Sequence, residues 1–271
     1  MRDGQTTLID GLVSIIMPSW NTGAFIAESI RSVLAQTNSN WELIIVDDGS
    51  TDHTDSVVAS FDDPRIRYFK NTRNVGAAMT RNRALREARG EWIAFLDSDD
   101  LWAPQKLDRQ LDFMHRGNHV FSYHNYTKFN DCNPSVNRLV SGPRVVTRSM
   151  IYRYDYIGQL TMMYSAKTFG LIQIKDIPKN NDYALRLQLF KEKDARCVLL
   201  PENLALYRIR DRSISHDKFS KKLASHYALF HVCDGMAAPN ALWHACGNMG
   251  YGMLKKIMYE KKIQPDEVYC E

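Results

Sequence analysis

No pair of cysteines in this chain is spaced to hold a metal or to staple a small fold. Cys132, Cys197, Cys233, Cys246 and Cys270 are odd in number and contain no C-x-x-C, which argues against a zinc knuckle or a disulfide framework. No run approaches the ~18 apolar residues that cross a bilayer. The opening MRDGQTTLIDG has no apolar stretch of the signal-peptide kind, so the chain reads as cytoplasmic. An excess of one charge is also missing. Lys plus Arg number 35 against 31 Asp plus Glu, a net +4, too even for a dedicated nucleic-acid binder. Where a dinucleotide fold would place G-x-G-x-x-G the chain has PSWNTG, and no G-x-x-x-x-G-K-[ST] occurs. Both absences disfavour redox and P-loop chemistry.

What is present is an alternation. Of the 271 residues 44% are hydrophobic and 24% charged, ordinary for a globular chain with room for one large α/β domain and an appendage. Apolar runs at 12–17, 42–46, 66–69, 92–96 and 119–123 read as strands, several continuous enough for a buried parallel sheet. Between them, 24–36, 53–61, 76–88 and 104–115 carry helical patterns, with Pro104 suited to a first turn. Strand and helix in turn predict an open, doubly wound sheet. Residues 126–180 are less regular. A helix near 182–192, short strands near 196–200 and 205–209, and helices over about 217–234 and 240–260 follow.

In such sheets ligands bind at the carboxyl ends of the strands. Strand one runs into Pro18-Ser19-Trp20-Asn21, strand two into Asp47-Asp48-Gly49-Ser50-Thr51-Asp52, and strand four into Asp97-Ser98-Asp99-Asp100. Two acidic clusters on one edge repel each other unless a cation or donor groups sit among them. A hard Mg²⁺ or Mn²⁺ ion, shared with substrate phosphates, suits such a set. Helix capping is the rival use: Ser50, Thr51 or Asp52 for the second helix, and Asp99 or Asp100 for the one near Pro104.

The ordered segments VSIIMPSWN, SVLAQT, WELIIVDDGSTD, NVGAAMTRNRAL, GEWIAFLDSDDLWAPQKL and NNDYALRLQLF resemble glycosyltransferase family 2 over residues 12–215. The flavour is that of bacterial enzymes building capsule, teichuronic acid or O-antigen chains. The resemblance implies a GT-A fold, with a mostly parallel doubly wound sheet, over residues 1–215, and a helical extension over 216–271. It implies an inverting transfer of a sugar from a nucleotide-sugar, a UDP-sugar in particular, to a hydroxyl of a glycan or lipid-linked acceptor. Pro18, Trp20 and Asn21 would line the base pocket, Asp48 would meet the uracil imide with Asp47 beside it, and Arg81 would approach the base or the phosphates. Asp97 would contact ribose or sugar, and Asp99 would ligate Mn²⁺ or Mg²⁺. Asp182 would be the general base. The family carries an acidic pair there, and Asn181 replaces its first member. The alternative for Asp182 is a favourable charge in a helix first turn, capped by Asn180 or Asn181. A non-catalytic nucleotide-sugar-binding scaffold is the alternative reading of the whole chain.

Tyr207-Arg208-Ile209-Arg210 puts arginines on one face of an extended segment. Within the resemblance Arg208 would bond phosphate, while Arg210 stands where His is usual. A solvated basic edge explains the same residues. Residues 205–263 hold ten Lys or Arg against four acids. That surplus predicts an acidic partner or peripheral contact with the inner face of the membrane. Packed helices with snorkelling lysines are the simpler account.

Overall fold

The computed structural model describes residues 7–263 apart from 132, 134–136, 178, 193 and 211–218. The expected boundary at 215/216, and the Arg212 to Lys218 portion of the basic stretch, lie outside the described residues.

The first half follows the predicted alternation: β1 (Ile9–Ser19), α1 (Ile26–Leu34), β2 (Trp41–Asp47), α2 (Thr54–Ala59), β3 (Ile66–Lys70), α3 (Ala77–Glu87) and β4 (Gly90–Phe95). Then come β5 (Leu101–Trp102), α4 (Lys106–Arg116) and β6 (Phe121–Phe129). The region read as irregular holds short elements: β7 (Arg138–Val140), β8 (Val145–Thr147), α5 (Arg148–Ile151), β9 (Met163–Ser165) and α6 (Ala166–Phe169). The chain continues through α7 (Asn181–Leu189), β10 (Arg196–Arg208), α8 (Phe219–Ala228), α9 (Ala238–Tyr259) and β11 (Glu260–Lys262).

The sheet order is β11-β7-β6-β9-β4-β1-β2-β3, with β10 beside β6 and carrying β5 and β8. β1, β2, β3 and β4 pair in parallel, as do β6 and β10. β9 is antiparallel to both β4 and β6, so the long strands all run one way and end on one edge. β1 shows why both faces are covered. Val13, Ile15 and Met17 enter the core beneath α1, α2 and α4, while Ile16 enters the opposite core with α3 and α7. This is the period-2 division of a doubly wound sheet.

Two expectations are corrected. The short strands at 196–200 and 205–209 are one strand, β10, which keeps pairing with β6 through irregular register at Asn203. Pro201 opposes no ladder partner there, and such an interruption tolerates its missing N–H. The helix predicted over 217–234 ends in a π-helical turn at Leu229–Cys233. Leu229, Phe230, Ala241 and Ala245 share the core with Tyr152 and Tyr183, so α8 and α9 pack on the α3/α7 face.

At the opposite end of the sheet from the acidic loops, the buried Glu42 carboxylate accepts from Ser14 Oγ (2.7 Å), from Arg89 through N–H (2.8 Å), Nε (3.0 Å) and Nη2 (2.8 Å), and from Arg67 Nη1 (3.1 Å). Burial pushes this carboxyl up, but the bonds from Ser14 and Arg89 outweigh it and hold it below the usual range. A carboxylate depressed on folding stabilises above its unfolded pKa and loses that contribution as pH falls. Glu42→Gln is therefore expected to cost about 2 kcal/mol near neutral pH, a fall of about 4–8 °C in thermal midpoint. Calorimetric melts should show the gap to wild type closing in acid.

Candidate active site

The loops after β1 and β2 are stitched together before any ligand arrives. Asn21, at φ 50°, donates its N–H to Ser50 Oγ (2.8 Å) and accepts the Thr51 N–H on Oδ1 (2.9 Å). Asp52 takes the N–H of Gly23 (3.0 Å) and of Thr54 (3.0 Å). Asp52 therefore acts between loops as well as at the first residue of α2, Ser50 acts between loops only, and neither is the N-cap, a position held by His53 without a side-chain capping bond. Trp20 is left exposed beside the half-buried Pro18.

Asp47 and Asp48 both turn inward. Asp47 accepts the Ser50 N–H (2.7 Å) and the Tyr68 hydroxyl (2.7 Å). Asp48 accepts from Asn71 Nδ2 (2.9 Å) and from the N–H groups of Val75 (2.9 Å) and Gly76 (2.8 Å). Gly49, at φ 73°, lies where a Cβ would come within 3.0 Å of the Arg73 backbone. The Asp-Asp-Gly step thus pins residues 71–76 over the end of β2. Asp48, expected to read a base, has three of a carboxylate's roughly four acceptor positions filled by the protein.

The second acidic cluster is held by arginines. Buried Arg81 donates through Nη2 to Asp97 (2.8 Å), and its Nε has no partner among the described residues. Asp99 pairs with Arg210 Nε at 2.9 Å. Asp100 is buried and accepts the Arg208 N–H (3.0 Å). Neither Asp99 nor Asp100 caps the helix that follows Pro104, which has no side-chain cap. Arg208, expected at a phosphate, is engaged within the protein. Its guanidinium donates to the Asp99 carbonyl (2.9 Å), to Glu28 (2.6 Å) and to Asp131, and it stacks between Phe25 and Phe129. Arg210, which the sequence had offered no role, is the cation facing the aspartates.

Asp182 sits in the first turn of α7, half-exposed. It accepts from Arg186 Nη2 (3.1 Å), one turn along the same helix. Arg186 is 1% exposed and also grips Asp155 through Nε (2.8 Å) and Nη2, with Nη1 on Gln159 (2.5 Å). Asn180, a predicted cap, instead adopts a left-handed φ of 60° and makes no capping bond.

These groups share one electrostatic field. Burial pushes the Asp182 carboxyl up, but the positive charges of Arg186 and Arg81 more than offset it and hold it low. Burial and the charge of Asp97 push Asp99 up despite Arg210 and Arg208. Burial, Asp99 and Asp97 push Asp100 up strongly. The Tyr207 phenol, pushed up to about 12, is raised by burial and then by Asp100, Asp97, Asp99 and Asp182. Tyr207 therefore lies in the field of Asp97, Asp99, Asp100 and Asp182. Arg81 bonds Asp97 and lies in the field of Asp182, and Pro18, Trp20, Asn21 and Asp48 belong to the ends of β1 and β2 and the loops that follow them at the same edge. Arg186 was legible as an i+4 partner of Asp182. Asp155, in the irregular region, carried no local signal.

The glycosyl transferase family 2 model matches residues 14–173. A Bacillus subtilis protein named as a teichuronic acid biosynthesis glycosyltransferase, TuaG, is 38% identical over 210 residues, covering 77% of this chain and 83% of its own. The Escherichia coli UDP-Glc:alpha-D-GlcNAc-diphosphoundecaprenol beta-1,3-glucosyltransferase WfgD is 39% identical over 212 residues, covering 78% and 83%. Among solved structures, Staphylococcus aureus TarS 1-349 in complex with UDP-GlcNAc superposes with a TM-score of 0.68 at 19% identity, over 84% of this chain and 69% of that one. At that identity the likeness speaks for the fold, which is the GT-A arrangement.

The electrostatics set an expectation for titration. With Arg81→Gln, one of the two cations holding Asp182 low is removed, so the Asp182 carboxyl should titrate at higher pH than in the wild-type chain. Carboxyl-carbon NMR reads this directly, and an unmoved Asp182 resonance would contradict the shared field.

Proposed function

This chain belongs to glycosyl transferase family 2, and we propose that it moves a sugar from a UDP-sugar to a hydroxyl of a lipid-linked or glycan acceptor during bacterial surface polysaccharide synthesis. Membership makes it a glycosyltransferase; donor, metal and stereochemistry are the proposal. The observation that supports it most is the shared field at the carboxyl edge of the sheet, where Asp97, Asp99 and Asp182 act on the Tyr207 phenol and Arg81 bonds Asp97 within reach of the charge of Asp182. The names of the Escherichia coli relatives, which specify UDP-Glc and a diphosphoundecaprenol acceptor, support the donor and acceptor classes.

Among the described residues no three His, Cys, Asp or Glu side chains converge as a cage. A Mg²⁺ or Mn²⁺ site of the phosphate-sharing kind needs only one or two carboxylates. The donor chemistry fits: Asp99 is an acid raised by burial and a neighbouring carboxylate, with one arginine beside it. Asp99 would hold such an ion, with Asp97 kept aside by Arg81. When bound, the ion neutralises charge developing on the leaving diphosphate. A Pyrobaculum calidifontis mannosyltransferase of similar fold (TM-score 0.54, 18% identity) was solved with GDP-Man and Mn²⁺.

The protein's own groups account for the remaining steps. Pro18, Trp20 and Asn21 offer the nucleoside an exposed indole and a fixed loop. Arg81, whose Nε is unpartnered, is the cation that a diphosphate draws upon. As it does so its hold on Asp182 weakens and that carboxylate becomes more basic. Asp182 then takes the acceptor hydroxyl proton as the oxygen attacks the anomeric carbon from the face opposite the diphosphate. A single displacement of this kind inverts the configuration.

Two measurements test this reading. Titration calorimetry should find UDP binding that strengthens with Mn²⁺, and that loses the Mn²⁺ dependence in Asp99→Ala; tighter GDP than UDP binding would redirect the donor. Asp182→Asn should retain UDP binding and lower transfer by about 10²–10⁴-fold, the range of a general base. Undiminished transfer in that variant would remove Asp182 from the chemistry.

A further inference from the structure

The inner and outer faces of α9 (Ala238–Tyr259) differ in a way the core does not explain. Inward, Asn248 donates to the Tyr183 hydroxyl (2.7 Å) and buried Lys255 donates to the Asp155 carbonyl (3.3 Å). Asp155 is the carboxylate that shares Arg186 with Asp182. Outward, the helix shows Trp243 (78% exposed), Leu254 (51%), Ile257 (81%) and Met258 (67%). On a 3.6-residue period these four fall within about 100° of arc. Trp243 near one end and Leu254, Ile257 and Met258 near the other share this arc, with only Gly247 and Gly250 on it between them, so the apolar side chains lie along one line rather than scattered over the helix.

The rim of the stripe is cationic. Lys256, Lys261 and Lys262 are exposed, and none makes an ion pair among the described residues. Of the acids described nearby, Glu260 is taken by Lys128 (2.7 Å), and Asp234, at the cavity beside Trp243, accepts from the Tyr152 hydroxyl (2.9 Å) and lies 4.0 Å from Lys191. Beside Trp243 a cavity of about 920 Å³ opens between α5 and α9, and exposed Arg148 and Arg153 stand at it. An apolar stripe with an aromatic at one end, lysines at the other and arginines along the flank has the composition of a helix that lies in a membrane interface. No helix among the described residues is long and apolar enough to cross a membrane. A two-fold contact with a second copy would bring the basic rims together, which an anionic bilayer would neutralise instead.

We propose that the outer face of α9 is a docking surface for an anionic lipid bilayer, seating Trp243, Leu254, Ile257 and Met258 among the acyl chains and the basic rim among the headgroups. The proposal rests on the reading of a lipid-linked acceptor for its purpose, but not for its test. Because the inner face of the same helix touches Asp155 and Tyr183, docking fixes the base-bearing end of α7 at a set height above the membrane.

The test uses the full chain and vesicles of equal parts phosphatidylglycerol and phosphatidylcholine. Co-sedimentation is expected with these vesicles, weakening with salt, and much less with phosphatidylcholine alone. The Trp243→Glu/Ile257→Glu double variant changes only exposed side chains. It should bind at least about tenfold more weakly, since two large apolar side chains would no longer be removed from water. Brominated lipids should quench fluorescence in the wild-type chain, and less so in Trp243→Phe. No sedimentation with anionic vesicles at low salt, or full binding by the double variant, would overturn the proposal. A dimer in sedimentation velocity that the same variant dissociates, without vesicle binding, would assign the face to a second copy. UDP affinity on the same preparations separates the two readings. Vesicle binding lost with UDP binding kept removes only the docking surface, and the converse removes only the nucleotide reading.

Discussion

Crowding of carboxylates at one edge of the sheet is the constraint on which the rest of the arrangement depends. Asp47 ends β2, and Asp48, Asp97, Asp99, Asp100, Asp155 and Asp182 lie on loops or a helix first turn. Unpaired, they would repel strongly in a partly dry environment. The fold answers in three ways. Backbone N–H groups and a tyrosine hydroxyl absorb Asp47 and Asp48. Buried arginines absorb Asp97 and Asp155. Asp99 and Asp100 are left raised, because the positive charge within reach is too little to offset burial and the neighbouring carboxylates, Asp97 at Asp99 and both Asp99 and Asp97 at Asp100. The unmet demand for positive charge is thus concentrated at these two residues, where the proposed ion would sit.

Meeting that constraint shapes elements far from the chemistry. β10 is long: its end carries Arg208 under the Asp97–Asp100 loop and leads to Arg210 just beyond it, while its start pairs with β6 and β8. Arg208 joins α1 through Glu28, the loop through the Asp99 carbonyl, and the end of β6 through Asp131. A buried charge with three acceptors fixes geometry more than it adds stability, since desolvation offsets much of the attraction. The two arginines of the Tyr-Arg-Ile-Arg run therefore divide the work. The first is held by acceptors within the protein, and the second, paired with Asp99, stays within reach of solvent.

The sequence was readable where local rules act alone. Buried parallel strands declare themselves by continuous apolar runs such as LIIV in β2, and the two acidic clusters declared themselves by falling at strand ends. It was less readable where a side chain answers to something distant. Nothing near Asp155 predicts that it meets Arg186, and nothing near Asp48 shows that Val75 and Gly76 fold back onto it. The short strands β7, β8 and β9 were missed because antiparallel pieces of three residues carry too little periodicity. Pro201 masked the continuity of β10 in the same way: a residue that cannot join a ladder reads as a break unless the irregular register is known.

The low position of Asp182 looks at first unsuited to a base, because a carboxylate held ionised by two guanidiniums is a weak proton acceptor. The arrangement makes sense if one of those guanidiniums is conditional. Arg186 is committed, buried between Asp155 and Asp182 with Gln159 on its remaining arm. Arg81 is not, since among the described residues its Nε is unpartnered and its one carboxylate bond is to the partly exposed Asp97. On the proposed reading a diphosphate competes for Arg81 and not for Arg186, which would raise the basicity of Asp182 while Arg186 keeps the carboxylate in place. Asp155 then matters because it stops Arg186 from following its helix partner alone, and α9 matters because Lys255 fixes the Asp155 backbone. The helix that carries the exposed apolar side chains is thus two contacts away from Asp182, a short mechanical path that would link the proposed docking face to the proposed base.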